Sequence, residues 1–264
     1  MSPETSQAPL PPLPADAFAR VLCVVAHPDD VEYGTSSAVA AWTAAGVEVA
    51  YLLLTRGEAG MDASPPERTG PRRTREQIAA SAAVGVTDVQ FLDHPDGVLV
   101  YGLDLRRDIA LVIRRFRPDA LVVGNWQVET RIGFNQADHR AAGMAALDAM
   151  RDAANRWVFP DQLVDGLEPW SVRWMLIAGD GSPTHGVEVT GEALERGIAS
   201  LEAHAEYLAG LPGHPQVRAM LTGITALGGR AMGVPNAVLF RAIDTQAPPA
   251  IAKEIMPEQA APGA

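Results

Sequence analysis

The sequence predicts an α/β protein, a mostly parallel sheet with helices on both faces, built as a single domain. Three observations predict it. Short apolar runs of strand length recur between longer stretches with helical spacing. The runs lack apolar–polar alternation, as strands buried on both faces do. Polar loops holding His, Asp, Gly and Pro follow several of the runs. The length of 264 residues suits one such domain with a sizeable core, and 47% hydrophobic with 20% charged residues is ordinary for a globular chain.

Taken in order, residues 1–17 carry five prolines and read as a flexible tail. The domain is expected over 18–244. Arg20 to Val25 reads as the first strand, Gly34 to Trp42 as a helix that stops at Gly46, and Val47 to Leu54 as the second strand. Met61 to Gly70 reads as a loop overhanging a site, and Pro71 to Val84 as a helix whose start carries Arg72, Arg73 and Arg75, against the helix dipole. Val86 to Leu92 is a third strand. Leu105, Ile109, Val112, Ile113 and Phe116 share one helical face. Ala120 to Val123 is a fourth strand, Ala141 to Met150 a helix, and Trp174 to Ala178 a fifth strand. Leu194, Ile198, Leu201 and Leu208 share the face of a late helix that also carries His204, and Val238 to Phe240 reads as an edge strand or a short helix. Residues 245–264 read as a loose tail. In a sheet of this kind ligands bind beyond the carboxyl ends of the strands, where strand order reverses. Adjacent first and fourth strands would bring the loop holding His27, Asp29 and Asp30 to the one holding Asn125 and His139.

The net charge of −11 argues against nucleic acid as a partner. The single cysteine, Cys23, lies inside the first strand, which leaves no internal disulfide and no thiolate metal cluster. There is no charged-then-apolar leader and no apolar span long enough for a bilayer, so no membrane partner and a cytoplasmic setting are expected. A homo-oligomer is allowed.

The chemistry concentrates in Ala26-His27-Pro28-Asp29-Asp30, between a buried strand and a helix. One imidazole and two carboxylates there suit a borderline cation; they equally suit a helix start capped by aspartates beside a polar histidine. A catalytic cation needs three protein ligands and an open position, which His27, Asp30 and His139 would supply, leaving Asp29 as a base. Spacing alone does not decide which aspartate does which. Other residues carry double readings. His94 and Asp96 line a pocket or form an exposed Pro-Asp-Gly turn. Arg56 and Glu58 bind substrate or lock a loop by pairing. His204 reaches the site or is a buried structural histidine. His185 and His214 read as surface loop residues.

The motif Ala26-His27-Pro28-Asp29-Asp30-Val31-Glu32, the loop Thr55-Arg56-Gly57-Glu58-Ala59-Gly60, the pair Arg73 and Glu76, and Asp138-His139-Arg140 occur in an order that resembles the LmbE-like, or PIG-L, deacetylases. The resemblance runs from about Val21 to Leu208. It implies a Rossmann-like sheet and a zinc-dependent hydrolase, other divalent metals being admissible, that takes N-acetyl groups from glucosamine-type sugars. By position it implies that His27, Asp30 and His139 hold the metal, that Asp29 is the general base, that Arg73 binds substrate and that Asp138 orients its neighbours. The alternative for Asp138 is a cap on the helix from Ala141. The family commonly has His-Pro-Asp-His where this chain has Gln136-Ala137-Asp138-His139. Gln136 can donate a hydrogen bond to an oxyanion but cannot titrate. Arg56 and Asp96 are further candidates for holding a small acetylated amino sugar or conjugate. The competing functions are an amidase of a thiol or natural-product conjugate with the same metal chemistry, and a metal- or sugar-binding protein whose turnover the Gln136 change has weakened. A nucleotide-binding protein is disfavoured, because no G-x-G-x-x-G follows the first strand.

Overall fold

In the computed structural model, which describes residues 8–14, 16–130, 133–164 and 166–247, the apolar runs form the middle of a seven-stranded sheet. The strands are β1 (Arg20–Val25), β2 (Glu48–Leu53), β3 (Asp88–Phe91), β4 (Ala120–Gly124), the separate hairpin pair β5 (Glu129–Thr130) and β6 (Gly133–Phe134), then β7 (Trp174–Ala178), β8 (His185–Glu188) and β9 (Ala237–Asp244). The sheet order is β3-β2-β1-β4-β7-β9-β8. The first five are parallel, and β9 runs antiparallel to both β7 and β8.

Side chains of the central strands alternate between two cores, as a period of two requires. Leu22 and Val24 of β1 join Leu121 and Val123 of β4 in a core closed by α3 (Leu103–Phe116) and α4 (Ala137–Ala154). Val21, Cys23 and Val25 join Val122, Leu176 and Phe240 in the opposite core, closed by α1 (Ser36–Ala44). The α2 helix (Pro66–Ala83) and α7 (Val217–Met232) both pack on α5 (Glu192–Glu202), and α5 packs on α1; the short α6 (Ala205–Ala209) follows α5. No described helix is long and apolar enough to cross a membrane.

Several boundaries differ from the sequence reading, each for a local reason. The α2 helix starts at Pro66 rather than Pro71: Pro65 is extended and Pro66 takes the first helical position that proline favours, while Pro71 is carried inside. Arg72, Arg73 and Arg75 are therefore mid-helical, and the expected conflict with the dipole disappears. The α4 helix starts at Ala137, four residues early, so Asp138 lies in its first turn and is not the cap of a helix from Ala141. His204 is not on the late helix: α5 ends at Glu202 and His204 precedes α6. The stretch around Val238 is a long strand between β7 and β8, not an edge. His185 opens β8, which the polarity of its surroundings had hidden. Within the expected N-terminal tail, Leu10 and Leu13 are tied to the domain. Leu13 is buried, its N–H donates to Gly186 O at 2.9 Å, and Leu10 N donates to Ala231 O at 2.8 Å. Residues 1–7, and 248–264 of the expected C-terminal tail, lie outside the described residues.

The seat of α4 on β4 depends on Gly143. A Cβ there would meet Gly124 O at 2.7 Å and the Trp126 side chain at 3.1 Å. Overpacking of this kind costs about 1–3 kcal/mol, and the backbone carbonyl cannot step aside. Gly143→Ala is expected to lower the midpoint of thermal unfolding despite alanine's better helix propensity. A midpoint equal to or above wild type would show that the helix can shift freely.

Candidate metal centre and active site

β1 and β4 are parallel neighbours, with β2 and β3 on one side of the pair and β7 on the other. Strand order reverses between them, and the loops after β1, β3 and β4 converge at their carboxyl ends. In the first loop Asp29 has φ of 83°, a left-handed conformation that aspartate tolerates better than most residues. Around that turn the adjacent carboxylates take different partners. Asp30 folds back, its Oδ2 accepting the His27 N–H at 2.9 Å. Asp29 is drawn into the protein: its N–H donates to Gln77 Oε1 at 2.9 Å, and its Oδ2 lies 2.9 Å from Arg73 Nη2.

His27 Nδ1 lies 3.3 Å from His139 Nε2 and 3.7 Å from Asp30 Oδ2, while His139 Nε2 lies 3.0 Å from Asp30 Oδ1. Tetrahedral ligands bonded at about 2.0–2.1 Å stand about 3.3–3.4 Å apart; the two ring nitrogens stand at that spacing, and the Asp30 carboxylate presents one oxygen to each of them. The far ring nitrogens are also engaged. His139 Nδ1 lies 3.2 Å from Asn135 Oδ1, and Asn135 in turn donates to Asn125 O at 2.6 Å. His27 Nε2 lies 3.0 Å from Asp96 Oδ1 and 3.3 Å from Asp138 Oδ2. Protons on those outer nitrogens leave the two inner nitrogens as lone-pair donors 3.3 Å apart, beside the Asp30 carboxylate. The donor set fits a divalent cation, with an outer shell that orients both imidazoles.

The electrostatics follow. Burial opposes charge on His27, but the hydrogen bonds and charges of Asp30 and Asp96 outweigh it and hold the imidazole up to about 11. Burial likewise opposes charge on Asp30, yet His139 and His27 drive it well below the usual carboxylate range. For Asp29 burial wins over Arg73 and pushes the carboxyl up to about 6.

The structure thus brings together His27, Asp29, Asp30, Asp138 and His139. Asp138 is buried, its oxygens accepting Gly97 N at 2.8 Å and Leu99 N at 3.1 Å. All three of the expected substrate-binding residues, Arg73, Asp96 and Arg56, have partners within the protein. Arg73 is 2% exposed, and its guanidinium meets Asp29, Pro28 O at 2.5 Å, His204 and the face of Tyr207. It braces the Asp29 loop from behind instead of reaching toward solvent, because α2 starts early and carries it mid-helix into the interior. Asp96 is spent on His27 Nε2 and on the Ala59 N–H at 2.7 Å. Arg56 pairs with Asp93 at 3.0 Å above the Phe91 ring, and His94 pairs with Asp108 at 2.9 Å. His214 bonds the Tyr33 hydroxyl at 2.7 Å. Gln136 is exposed at the start of α4, and its side-chain amide has no hydrogen-bond partner among the described residues. Sequence reasoning missed Asn135, Gln77 and Glu32. For Gln77 a signal existed: with Arg73 and Glu76 it lies at the i, i+3, i+4 spacing of one helical face.

Residues 22–150 match the family model described as PIG-L, GlcNAc-PI de-N-acetylase. The likeness to the PIG-L (LmbE-like) family thus spans residues 22–150 of the chain. A diacetylchitobiose deacetylase of Thermococcus kodakarensis is 28% identical over 195 residues, 72% of this chain and 71% of that protein. A 1D-myo-inositol 2-acetamido-2-deoxy-α-D-glucopyranoside deacetylase of Kineococcus radiotolerans is 30% identical over 194 residues, and that match spans 60% of this chain but only 51% of the relative. Among solved structures, the N,N'-diacetylchitobiose deacetylase of Pyrococcus horikoshii superposes with a TM-score of 0.77 over 86% of this chain and 84% of its own, at 22% identity, a likeness of fold. The PIG-L match covers every strand-end loop of the site and ends inside α4. His204 lies beyond it.

If the three inner atoms hold a cation, His139→Ala and Asp30→Ala will each lower bound divalent metal far below one per chain, whereas Asp29→Asn will leave it unchanged. Elemental analysis of gel-filtered protein reads this. Full occupancy in His139→Ala would remove that imidazole from the centre.

Proposed function

We propose that this PIG-L domain is a metal-dependent N-deacetylase that hydrolyses the acetamide of an amino-sugar substrate or conjugate, releasing acetate and a free amine. The observation that carries the reading is the juxtaposition of a tetrahedral donor set with a buried, ion-paired carboxylate on the next residue. A binding protein needs the first and has no use for the second. The named relatives support the amino-sugar class. A reduced, cytoplasmic setting belongs to the proposal and is supported by the lone buried Cys23.

His27, Asp30 and His139 are the proposed zinc ligands. Zinc held there would polarise the amide carbonyl and lower the pKa of water. Asp29 takes the proton of the attacking water as oxygen adds to the acetamide carbon. Its pKa of about 6 leaves it mostly ionised at neutral pH, yet basic enough to accept a proton. As the C–N bond breaks, Asp29 returns that proton to the leaving nitrogen. Arg73 holds the carboxylate in one orientation through both steps. Asp96 and Asp138 keep His27 in the tautomer that leaves Nδ1 free. The unpartnered amide of Gln136, three residues before His139, is the proposed neutral donor to the oxyanion.

Acetate release from N-acetylglucosamine, N,N'-diacetylchitobiose and an N-acetylglucosaminyl inositol by zinc-loaded protein tests the reading. No release from any of the three would sink it. Asp29→Asn should retain zinc and lose at least about 10²-fold in kcat, the lower end of what a positioned base contributes. Because Arg73 acts on the base, Arg73→Ala should lower kcat more than it raises KM.

Gln136→Ala should slow turnover by no more than the ~2.7–4 kcal/mol that a lost oxyanion donor can cost. An alanine variant with wild-type kcat/KM would remove Gln136 from the reaction.

A further inference from the structure

The group that orients the proposed base is itself met by His204, 131 residues away in sequence. We propose that His204, backed by Glu32, is a positioning residue that sets the direction of Arg73 and through it the Asp29 carboxylate. The proposal rests on the deacetylase reading above, in which Asp29 moves the proton.

His204 is fully buried at the break between α5 and α6, where its N–H donates to Leu201 O at 3.1 Å. Its Nδ1 lies 3.3 Å from Arg73 Nη1. A guanidinium has donors and no acceptor, so this contact requires a lone pair on Nδ1. A neutral His204 then carries its proton on Nε2. That nitrogen faces Glu32 Oε2 at 3.8 Å, an electrostatic contact longer than a hydrogen bond, and neither atom has a hydrogen-bond partner. A buried carboxylate opposite Nε2 favours the proton there, as a carboxylate does behind any histidine whose tautomer matters. The line Glu32, His204, Arg73, Asp29 is thus directional: each member fixes which atom of the next is available.

Glu32 braces Asp29 by a second route. Its Oε1 accepts Gln77 Nε2 at 3.0 Å, and Gln77 Oε1 takes the Asp29 N–H at 2.9 Å. The two routes hold the Asp29 backbone and its side chain separately. The break that presents His204 is in turn fixed by Glu76, whose Oε1 accepts the N–H groups of Glu206 at 2.6 Å and Tyr207 at 3.2 Å. Tyr207 lies with its ring 3.5 Å from the Arg73 guanidinium carbon. A histidine kept only for packing would need neither the acceptor toward Arg73 nor the carboxylate behind it.

The test compares His204→Leu, which keeps bulk and loses the acceptor, with His204→Asn, which keeps an acceptor near the Nδ1 position. With zinc-loaded protein and N,N'-diacetylchitobiose, His204→Leu should lose about tenfold to hundredfold in kcat, the cost of a misplaced catalytic group. Its KM, zinc content and unfolding midpoint should stay near wild type, and His204→Asn should recover most of the rate. In an Arg73→Ala background His204→Leu should cost nothing further, since the two act as one unit. Independently of activity, ¹⁵N NMR of histidine-labelled wild type should show His204 as the Nε2–H tautomer. Equal rates in wild type and His204→Leu, additive losses in the double variant, or an Nδ1–H tautomer would each overturn the positioning role. Rates lost equally in His204→Leu and His204→Asn alongside lowered midpoints would reduce His204 to a packing residue. A wild type that releases no acetate would overturn the deacetylase reading, and the positioning role with it.

Discussion

The buried ion pair between Arg73 and Asp29 is the constraint on which the site's geometry depends. Both groups are removed from water, and breaking such a pair from one side costs about 3–5 kcal/mol because the remaining charge is left uncompensated. The surrounding structure is arranged to keep the pair intact. The α2 helix carries Arg73 in its interior, where the backbone is most rigid. Pro28 contributes its carbonyl to the same guanidinium, and Tyr207 covers its face. Asp29 can reach Arg73 only because its backbone turns left-handed immediately after Pro28. The strain of that turn is held by Gln77 on the Asp29 N–H. One consequence is the separation of two chemically identical neighbours. Asp30 is left among imidazoles that hold its carboxyl well below the usual range, and Asp29 is left in a dry environment that pushes its carboxyl up to about 6.

Legibility from sequence tracked how local the determining physics was. β1 and β4 were readable because a strand buried on both faces needs a continuous apolar run, and Val21–Val25 and Ala120–Val123 supply it. The convergence of His27, Asp30 and His139 was readable as the ends of those two strands, since an α/β chain whose order reverses places its loops there. The start of α2 was missed because Pro65-Pro66 and Pro71 offer two prolines suited to a first turn, and the sequence does not rank them. The destinations of Asp96 and Arg73 were missed for a different reason. Both are polar residues near a site, and polarity suggests a substrate, whereas their partners His27 and Asp29 are brought to them only by the tertiary fold. His204 illustrates the same limit: Leu194, Ile198, Leu201 and Leu208 keep helical spacing straight through the break that turns its ring inward.

The carboxylates explain why the centre calls for a cation at all. Asp30, Asp96 and Asp138 all lie within 3.7 Å of a ring nitrogen of His27, and none of the three is paired with an arginine among the described residues. The pull of Asp30 and Asp96 outweighs burial and holds the imidazole up to about 11. The same excess of negative charge that holds a proton on His27 would draw a divalent ion to the lone pair beneath that proton, and the two compete for one nitrogen. Placing two of the carboxylates behind Nε2 and one before Nδ1 resolves the competition by geometry. The outer pair retains the proton on Nε2, where it fixes the tautomer, while Asp30 presents Oδ2 to Nδ1 at 3.7 Å and Oδ1 to His139 Nε2 at 3.0 Å. A site with its carboxylates distributed the other way would keep its histidine cationic and offer a metal no nitrogen on that side.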